Sequence, residues 1–132
     1  MPLTSLEGFI RRILGWREYM RGLYVTQGEA MRASNVFKHQ RRLTANWFAG
    51  SLGLPPFDDV AKKVNQHAYA HQAERLMVAT NLMLLCEIHP DDICRWFNDL
   101  FIDTYEWVTV SNVYSVSQLV NSSGLVSRPS IC

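Results

Sequence analysis

The stretch HAYAHQAERLMVATNLMLL, residues 67–85, combines an apolar helical pattern with a cluster of polar side chains. Its apolar residues recur at steps of three and four, which predicts an α-helix. The polar residues His71, Gln72 and Arg75 lie directly before the most apolar part of that helix. Burying several polar groups is costly unless each finds a hydrogen-bond partner. We therefore expect this helix to line a pocket in which a polar ligand provides those partners.

A metal site is the first alternative for this helix, because His67, His71 and Glu74 fall on one helical face. The HExxH arrangement of zinc proteases is absent, and a fourth ligand would have to come from elsewhere. The three cysteines of the chain also lack CxxC-type spacing. We predict no metal site. The second alternative, polar residues that find partners within the core or at its rim, remains open.

Working outward, helical spacing predicts a helix over residues 5–23 and another over residues 58–86, with a bend or break near His71. Pro90 suits the first position of a third helix, which continues at helical spacing to Val108. The glycines and prolines between the first two helices predict loops and short helical turns. No strand pattern is sustained, so we expect an all-α fold.

The length and composition fit one folded domain, since the 132 residues are 48% hydrophobic and 19% charged. We assign a helical domain to residues 1–120 and an irregular, serine-rich tail to residues 121–132. The longest uncharged apolar run, residues 76–86, is too short to cross a bilayer. Four arginines near the N-terminus argue against secretion. Free thiols and the absence of an export signal favour the cytoplasm.

Charge is unevenly distributed along the chain. Residues 1–50 carry eight Lys and Arg against three Asp and Glu, whereas the remaining residues carry five against nine. A basic half either faces a polyanion or is an ordinary solvated surface, and both interpretations remain open. Within it, the segment FKHQRRL, residues 37–43, has cations suited to phosphate contacts.

Three ordered segments resemble a known family. These are EGFIRRILGWREYMRGLY (residues 7–24), HAYAHQAERLMVATNLMLL (residues 67–85) and WFNDLFIDTYEWVTVSNVYSVSQ (residues 96–118). They are similar to the C-terminal flavin-binding region of the deoxyribodipyrimidine photolyase-related proteins, a prokaryotic branch of the photolyase/cryptochrome superfamily. The resemblance implies an all-helical domain that binds FAD in a U shape. It also implies a DNA photolyase, a carbon–carbon lyase that uses blue light to pass an electron from reduced FAD to UV-damaged pyrimidines in DNA.

The resemblance also implies roles for individual residues. His71 would take part in proton transfer during repair of a (6-4) photoproduct, and Trp107 in electron transfer to FAD. The residues expected to contact FAD are Trp16, Arg17, Arg75, Asp103 and Asn112. The residues expected to face DNA are Lys38, Arg41 and Arg42. UV-damaged DNA is thus the expected partner, and no membrane is involved.

The sequence departs from the family pattern at several places. Gln72 stands where a second histidine is expected, which leaves the proton-transfer pair incomplete, and Arg12 replaces a usual glutamine. No cysteine occurs near residues 56–58, where many relatives have an iron–sulfur ligand, so we expect no cluster.

Family members begin with an α/β antenna domain and continue past the helical core. The sequence therefore resembles a helical domain truncated at both ends, and we expect weakened FAD affinity, no activity in isolation and an antenna domain on another chain. Two further functions remain open, a cryptochrome-like blue-light sensor without repair activity and an inactive remnant.

Overall fold

The computed structural model describes residues 2–114, and its regular elements are helices. The α-helices are α1 (Leu3–Ile10), α2 (Trp16–Arg32), α3 (Ala45–Ala49), α4 (Pro55–His67), α5 (Asn81–Leu85), α6 (Pro90–Leu100) and α7 (Glu106–Asn112). Two π-helical segments, Arg11–Gly15 and Glu74–Thr80, precede α2 and α5. Extended pairing in the described residues is limited to an isolated bridge between Arg41 and Ile88. The predicted all-α fold is confirmed, whereas the predicted tail over residues 121–132 lies outside the described residues.

The first helix is longer than its predicted end at residue 23. It continues through α2 to Arg32, because the backbone keeps helical angles up to Ala33. Glycine weakens an isolated helix, which is why Gly28 suggested a loop. In the fold, the last turns of α2 bury Gly28 and Met31 against the core. Tertiary packing therefore outweighs the low helix propensity of glycine.

The predicted break near His71 is confirmed. Helix α4 ends at His67, and Ala68 adopts left-handed angles with φ of 52°. The Ala68 N–H donates to Val64 O at 2.7 Å, which closes the end of α4. Ala70 then turns into the core, and the next helical stretch starts at Gln72.

The helix predicted from Pro90 to Val108 is interrupted. Pro90 does begin α6, but that helix ends at Leu100 and α7 starts at Glu106. The Thr104 hydroxyl stabilises the corner by hydrogen bonding to Phe97 O and Phe101 O, at 3.1 and 2.8 Å. The Ile102 N–H donates to Ala68 O at 3.0 Å, so this corner rests on the break after α4.

Helices α2 and α7 pack along each other in opposite directions. Arg32, at the end of α2, forms an ion pair with Glu106 at the start of α7, and Ser111 Oγ donates to Met20 O at 3.2 Å. The largest fully buried side chains include Trp96, Tyr114, Phe57, Met31, Met83 and Ile93. By contrast, residues 2–19 are all exposed, although they carry many apolar side chains. None of the helices in the described part is long and apolar enough to span a bilayer.

Candidate functional site

A cavity of about 390 Å³ lies between the start of α2, the second π-helical segment, the corner after α6, and α7. Its volume falls within the roughly 300–1,000 Å³ that is typical of ligand and cofactor sites. Five residues expected to contact FAD border it together: Trp16, Arg17, Arg75, Asp103 and Asn112. They come from four separate parts of the chain, so the fold is what brings them together. Their contact with FAD stays a prediction.

Arg75 is held in one orientation by four partners. Its Nε donates to Ala70 O at 2.8 Å, and its two terminal nitrogens donate to the two carboxylate oxygens of Asp103 at 2.9 Å each. The guanidinium carbon lies 4.4 Å from the centre of the Phe101 ring and 5.0 Å from that of Tyr69. Bidentate pairing depends on the planar guanidinium, which lysine lacks, and the same plane can stack on aromatic rings.

One π-helical segment lines the cavity, and the other ends directly before a lining residue. Arg75, Leu76 and Thr80 belong to the segment Glu74–Thr80, and Trp16 follows the segment Arg11–Gly15. The Thr80 hydroxyl donates to Arg75 O at 2.8 Å, which gives that carbonyl a partner within the widened turns. Single π-helical turns are rare and frequently occur at functional sites. Their placement is therefore a second indication that this cavity is functional.

Several polar side chains at the cavity remain available to a ligand. Within residues 2–114, the side chains of Arg17, Gln72 and Asn112 make no hydrogen bond to the protein, and all three border the cavity. A flavin ring presents carbonyl, imide and ring-nitrogen groups, which are suitable partners for amide and guanidinium side chains. The donor and acceptor set thus fits a flavin.

His71 does not border the cavity. Its backbone N–H donates to Glu74 Oε2 at 2.8 Å, and its ring Nδ1 accepts from the Ala73 N–H at 3.2 Å. These contacts begin the helix after the break, which is an ordinary use of a polar side chain at a helix start. The hydrogen bond from Lys63, followed by that from the His71 N–H, lowers the pKa of Glu74. His71 and Glu74 therefore stabilise the start of this helix. The catalytic role of His71 stays a prediction.

Trp107 also lies outside the cavity lining. It is half-buried and stacks on Tyr105, with ring centres 6.4 Å apart and planes 14° apart. Tyr105 does border the cavity. The role of Trp107 in electron transfer is untested by this arrangement and stays a prediction.

A series of buried aromatic rings leads away from the cavity, and sequence reasoning missed it. Phe97 borders the cavity, and its ring centre lies 5.1 Å from that of Trp96. Phe57 follows at 5.9 Å and Trp47 at a further 5.0 Å. Trp96 Nε1 also donates to Trp47 O at 3.3 Å. The spacing of Trp96 predicted core packing, but no local signal predicted a partner 49 residues away.

The basic residues expected to face DNA lie apart from the cavity. Arg42 pairs with buried Asp92 at 2.9 Å, and Arg41 approaches Glu87 at 3.6 Å. Lys38 adopts left-handed angles with φ of 55° in the turn before them. These contacts put Arg41 and Arg42 near the first turn of α6, whereas the cavity borders the other end of that helix. The structure groups these residues with one another but not with the FAD-contact residues.

A comparison with protein families decides the assignment. The protein-family model described as the FAD binding domain of DNA photolyase matches residues 9–129. The chain belongs to the DNA photolyase family. The cofactor of this photolyase domain is FAD. Among residues 2–114, no group of three or more His, Cys, Asp or Glu side chains is arranged to hold a metal ion.

Curated relatives of this photolyase-family chain include one much longer protein. The chain is 39% identical over 128 residues to a (6-4) photolyase of Agrobacterium fabrum, an alignment that covers 97% of this chain and 25% of that protein. Two uncharacterized proteins of Acanthamoeba polyphaga mimivirus are 34% and 38% identical over 55 and 56 residues. Those alignments cover 42% of this chain and 45% and 42% of the viral proteins. The chain thus spans a quarter of the length of the (6-4) photolyase and less than half of each viral protein.

Proposed function

We propose that this chain is part of a flavin-dependent DNA photolyase that acts in the cytoplasm on UV-damaged pyrimidines in DNA. In this activity, FAD supplies an electron to the damaged bases under blue light. The observation that carries the proposal is the cavity at which Trp16, Arg17, Arg75, Asp103 and Asn112 meet, in a chain of the photolyase family.

The chain's own residues would orient the cofactor and exclude water. Arg75, fixed by Asp103 and by two aromatic rings, is a rigid cation at the cavity wall. Arg17 and Asn112 offer free hydrogen-bonding groups to the flavin. Rigid partners lose little conformational entropy on binding, which favours one orientation of the cofactor.

A damaged base would enter from the exposed side. Enzymes of this type act on a nucleotide that has been flipped out of the duplex, and aromatic side chains hold the extruded base by stacking. Trp16 is 40% exposed and Tyr105 is 59% exposed, and both border the cavity. These two flat side chains are the proposed stacking surfaces for the lesion.

The buried aromatic series supports an electron route to the cavity. Electron transfer between side chains slows steeply with distance, and indole is oxidised more easily than a phenyl ring. We infer that Trp96 and Trp47 are the carriers, and that Phe97 and Phe57 fill the space around them. Trp107, which stacks on Tyr105 at the cavity rim, is the alternative carrier.

The proposed DNA contacts remain Lys38, Arg41 and Arg42. Arg41 and Arg42 have acidic neighbours that partly neutralise them, so we expect Lys38 to contribute the most to DNA affinity. Phosphate contacts of this kind release counterions, which makes binding weaken as salt rises.

A second function, a blue-light sensor without repair, is favoured by one observation. Gln72 borders the cavity, whereas His71 does not. Unlike histidine, the glutamine amide cannot transfer a proton to a ligand. The two functions differ in what they require. Repair requires preferential binding of damaged DNA, whereas sensing requires only photoreduction of the flavin.

The proposal is tested by incubating the purified chain with FAD, removing free FAD, and recording the visible spectrum. Retained flavin bands, with weakened affinity, are the expected result. The flavin-bound chain is then given a short duplex with pyrimidine lesions under blue light with a reductant. Loss of lesions would support the photolyase, and preferential binding of damaged DNA without repair would fit a photolyase chain that is inactive in isolation. Photoreduction of the flavin with no preference for damaged DNA would support the sensor instead. A folded chain that retains no flavin would contradict both functions.

A further inference from the structure

Residues 3–19 form a helical arm that the rest of the described chain leaves uncovered. The arm consists of α1, the first π-helical segment and the start of α2, and every residue in it is exposed. Before Trp16 it carries six large apolar side chains that are between 39% and 80% exposed: Leu3, Leu6, Phe9, Ile10, Ile13 and Leu14. Monomeric soluble proteins rarely expose a contiguous apolar surface of this kind unless it is an interaction site.

The apolar side chains share one face of the arm. Leu6, Ile10 and Ile13 follow one another at steps of four and three residues, which is the spacing of one helix face. The same steps lead on through Trp16 to Met20, which is buried where α7 packs against α2. The exposed face of the arm therefore continues the face of α2 that packs on α7. A second helix laid along it would extend a helix–helix packing that the fold already uses.

Charged side chains lie along one edge of this face. Glu7 is four residues after Leu3, and Arg11 is three residues before Leu14, so both charges neighbour apolar side chains. Glu7 and Arg11 form an exposed ion pair with each other. The edge thus carries one negative and one positive charge a single turn apart. Such an edge is complementary in charge to an identical edge that runs in the opposite direction.

We propose that the apolar face of the arm is a self-association surface, on which the arm of a second copy of this chain packs antiparallel. In a two-fold dimer the same surface is used by both copies, so each contact between two different residues occurs twice. A two-fold axis that passes beside Phe9, midway between the two charges, brings Glu7 of each copy to Arg11 of the other. The apolar side chains of both arms then cover one another between the two ion pairs.

The antiparallel direction follows from the position of the arm at one end of the molecule. A parallel pair would bring both folded bodies to the same end of the arms, whereas an antiparallel pair puts them at opposite ends and opposes the two helix dipoles. The paired stretch ends before Trp16, so the cavity stays accessible. The arm from Leu3 to Gly15 is about 20 Å long. It supplies fewer residues than the roughly 20–30 per side of a standard interface, so we expect a reversible dimer with a Kd in the micromolar range.

Self-association is tested by analytical ultracentrifugation of the native chain from about 1 μM to about 200 μM, a range that brackets a micromolar Kd. The native chain should pass from monomer to dimer. Ile10→Glu should raise the Kd of the dimer by about tenfold or more, because the pairing would bury a carboxylate among apolar side chains. Val25→Glu is the matched control, since Val25 is exposed on α2 outside the arm, and it should dimerise like the native chain. Circular dichroism checks that each variant is folded.

The pairing of charges is tested by mixing two variants. All four edge charges of a dimer are positive in Glu7→Arg and negative in Arg11→Glu, so each variant alone should dimerise more weakly than the native chain. Both variants also lose the ion pair within the arm, so that loss affects them alike. An equimolar mixture should form a heterodimer, because the basic arm of one variant then meets the acidic arm of the other. Native mass spectrometry distinguishes the heterodimer by its mass.

Three outcomes would overturn the inference. A native chain that stays monomeric up to about 200 μM would mean that a different partner, or another part of the chain, covers the apolar face. Equal dimerisation of the native chain and Ile10→Glu would place the contact outside the arm. A mixture of Glu7→Arg and Arg11→Glu without heterodimer would exclude the paired charges. These measurements need no bound flavin, so their results are independent of the proposed function.

Discussion

Arg75 and Asp103 are joined by two parallel hydrogen bonds of 2.9 Å each, which link the helix after the break to the corner between α6 and α7. The Arg75 side chain is 12% exposed and that of Asp103 is 45% exposed. The pair therefore connects the π-helical segment that contains Arg75 to the non-helical corner that contains Asp103, at the edge of the cavity. It holds that corner in place although the corner has no helical backbone of its own.

Loss of this pair should destabilise the fold. Asp103→Asn removes the charge and one acceptor oxygen, which leaves the mostly buried guanidinium incompletely paired. We expect a loss of about 1–2 kcal/mol, less than for a fully buried pair because Asp103 is partly solvated. Urea unfolding measures this loss of unfolding free energy. Asp99→Asn, on the exposed side of α6, is the control. Equal unfolding midpoints for both variants would mean that the pair contributes nothing.

Alkaline pH should weaken the fold through Cys94. Burial raises the pKa of its thiol to about 12 from an ordinary value of 9.0. The native state therefore keeps a proton that the unfolded state releases, and stability present below about pH 9 is lost as pH rises toward about 12. Burial and the hydrogen bond to Asp91 also raise the pKa of Tyr114, so the phenol acts in the same direction.

The contribution of Cys94 is separated by substitution. Cys94→Ala should unfold in urea with a smaller decline of stability between about pH 9 and about pH 11 than the native chain shows. Cys86→Ala, at a half-buried thiol, serves as the comparison. If the native chain and Cys94→Ala lose stability in parallel, the thiol is not the group responsible.

The electron route should depend on Trp96. Trp96→Phe keeps a ring in the core but removes the readily oxidised indole. We expect photoreduction of bound flavin to slow by about tenfold or more, which corresponds to a barrier increase of about 1.4 kcal/mol. Flavin absorbance followed under blue light with an external reductant gives the rate. Trp107→Phe is the paired variant. A rate that falls only in Trp107→Phe would assign the route to the cavity rim.

Lys38 should contribute to DNA affinity through phosphate. Lys38→Gln is expected to weaken binding of a short duplex equally for different sequences and to reduce the salt dependence of log K by about 0.9 per lost contact. Lys62→Gln, an exposed lysine on α4, is the control. An unchanged slope in Lys38→Gln would place the DNA surface elsewhere.

Local patterns predicted several features of this fold for clear physical reasons. Apolar spacing predicted the helix after the break, and its excess of polar residues predicted a pocket near Arg75. The interruption before α7 was missed because Phe101 and Tyr105 continue the helical spacing. The interruption is stabilised by the Thr104 hydroxyl and by the hydrogen bond from the Ile102 N–H to Ala68 O. The spacing of apolar residues carries no information about such contacts.

The cavity required more than local patterns. Resemblance to a family identified Trp16, Arg17 and Asn112 as one group, and the fold brings them to one cavity. The orientation of His71 could not be predicted, because a histidine at a helix start either caps that helix or faces a ligand. The aromatic series from Phe97 to Trp47 could not be predicted either, because its members are distant in sequence and meet only through packing.

The central claim is that the cavity around Arg75 binds the flavin, and the most direct test is the Kd for FAD of Arg75→Ala beside the native chain. Arg95→Ala, an exposed arginine on α6 outside this cavity, is the matched control, and circular dichroism checks that each variant is folded. The account predicts retained binding in the native chain and in Arg95→Ala, and loss of at least about tenfold in Arg75→Ala, which corresponds to about 1.4 kcal/mol. A folded Arg75→Ala chain that binds FAD as tightly as the native chain would contradict it.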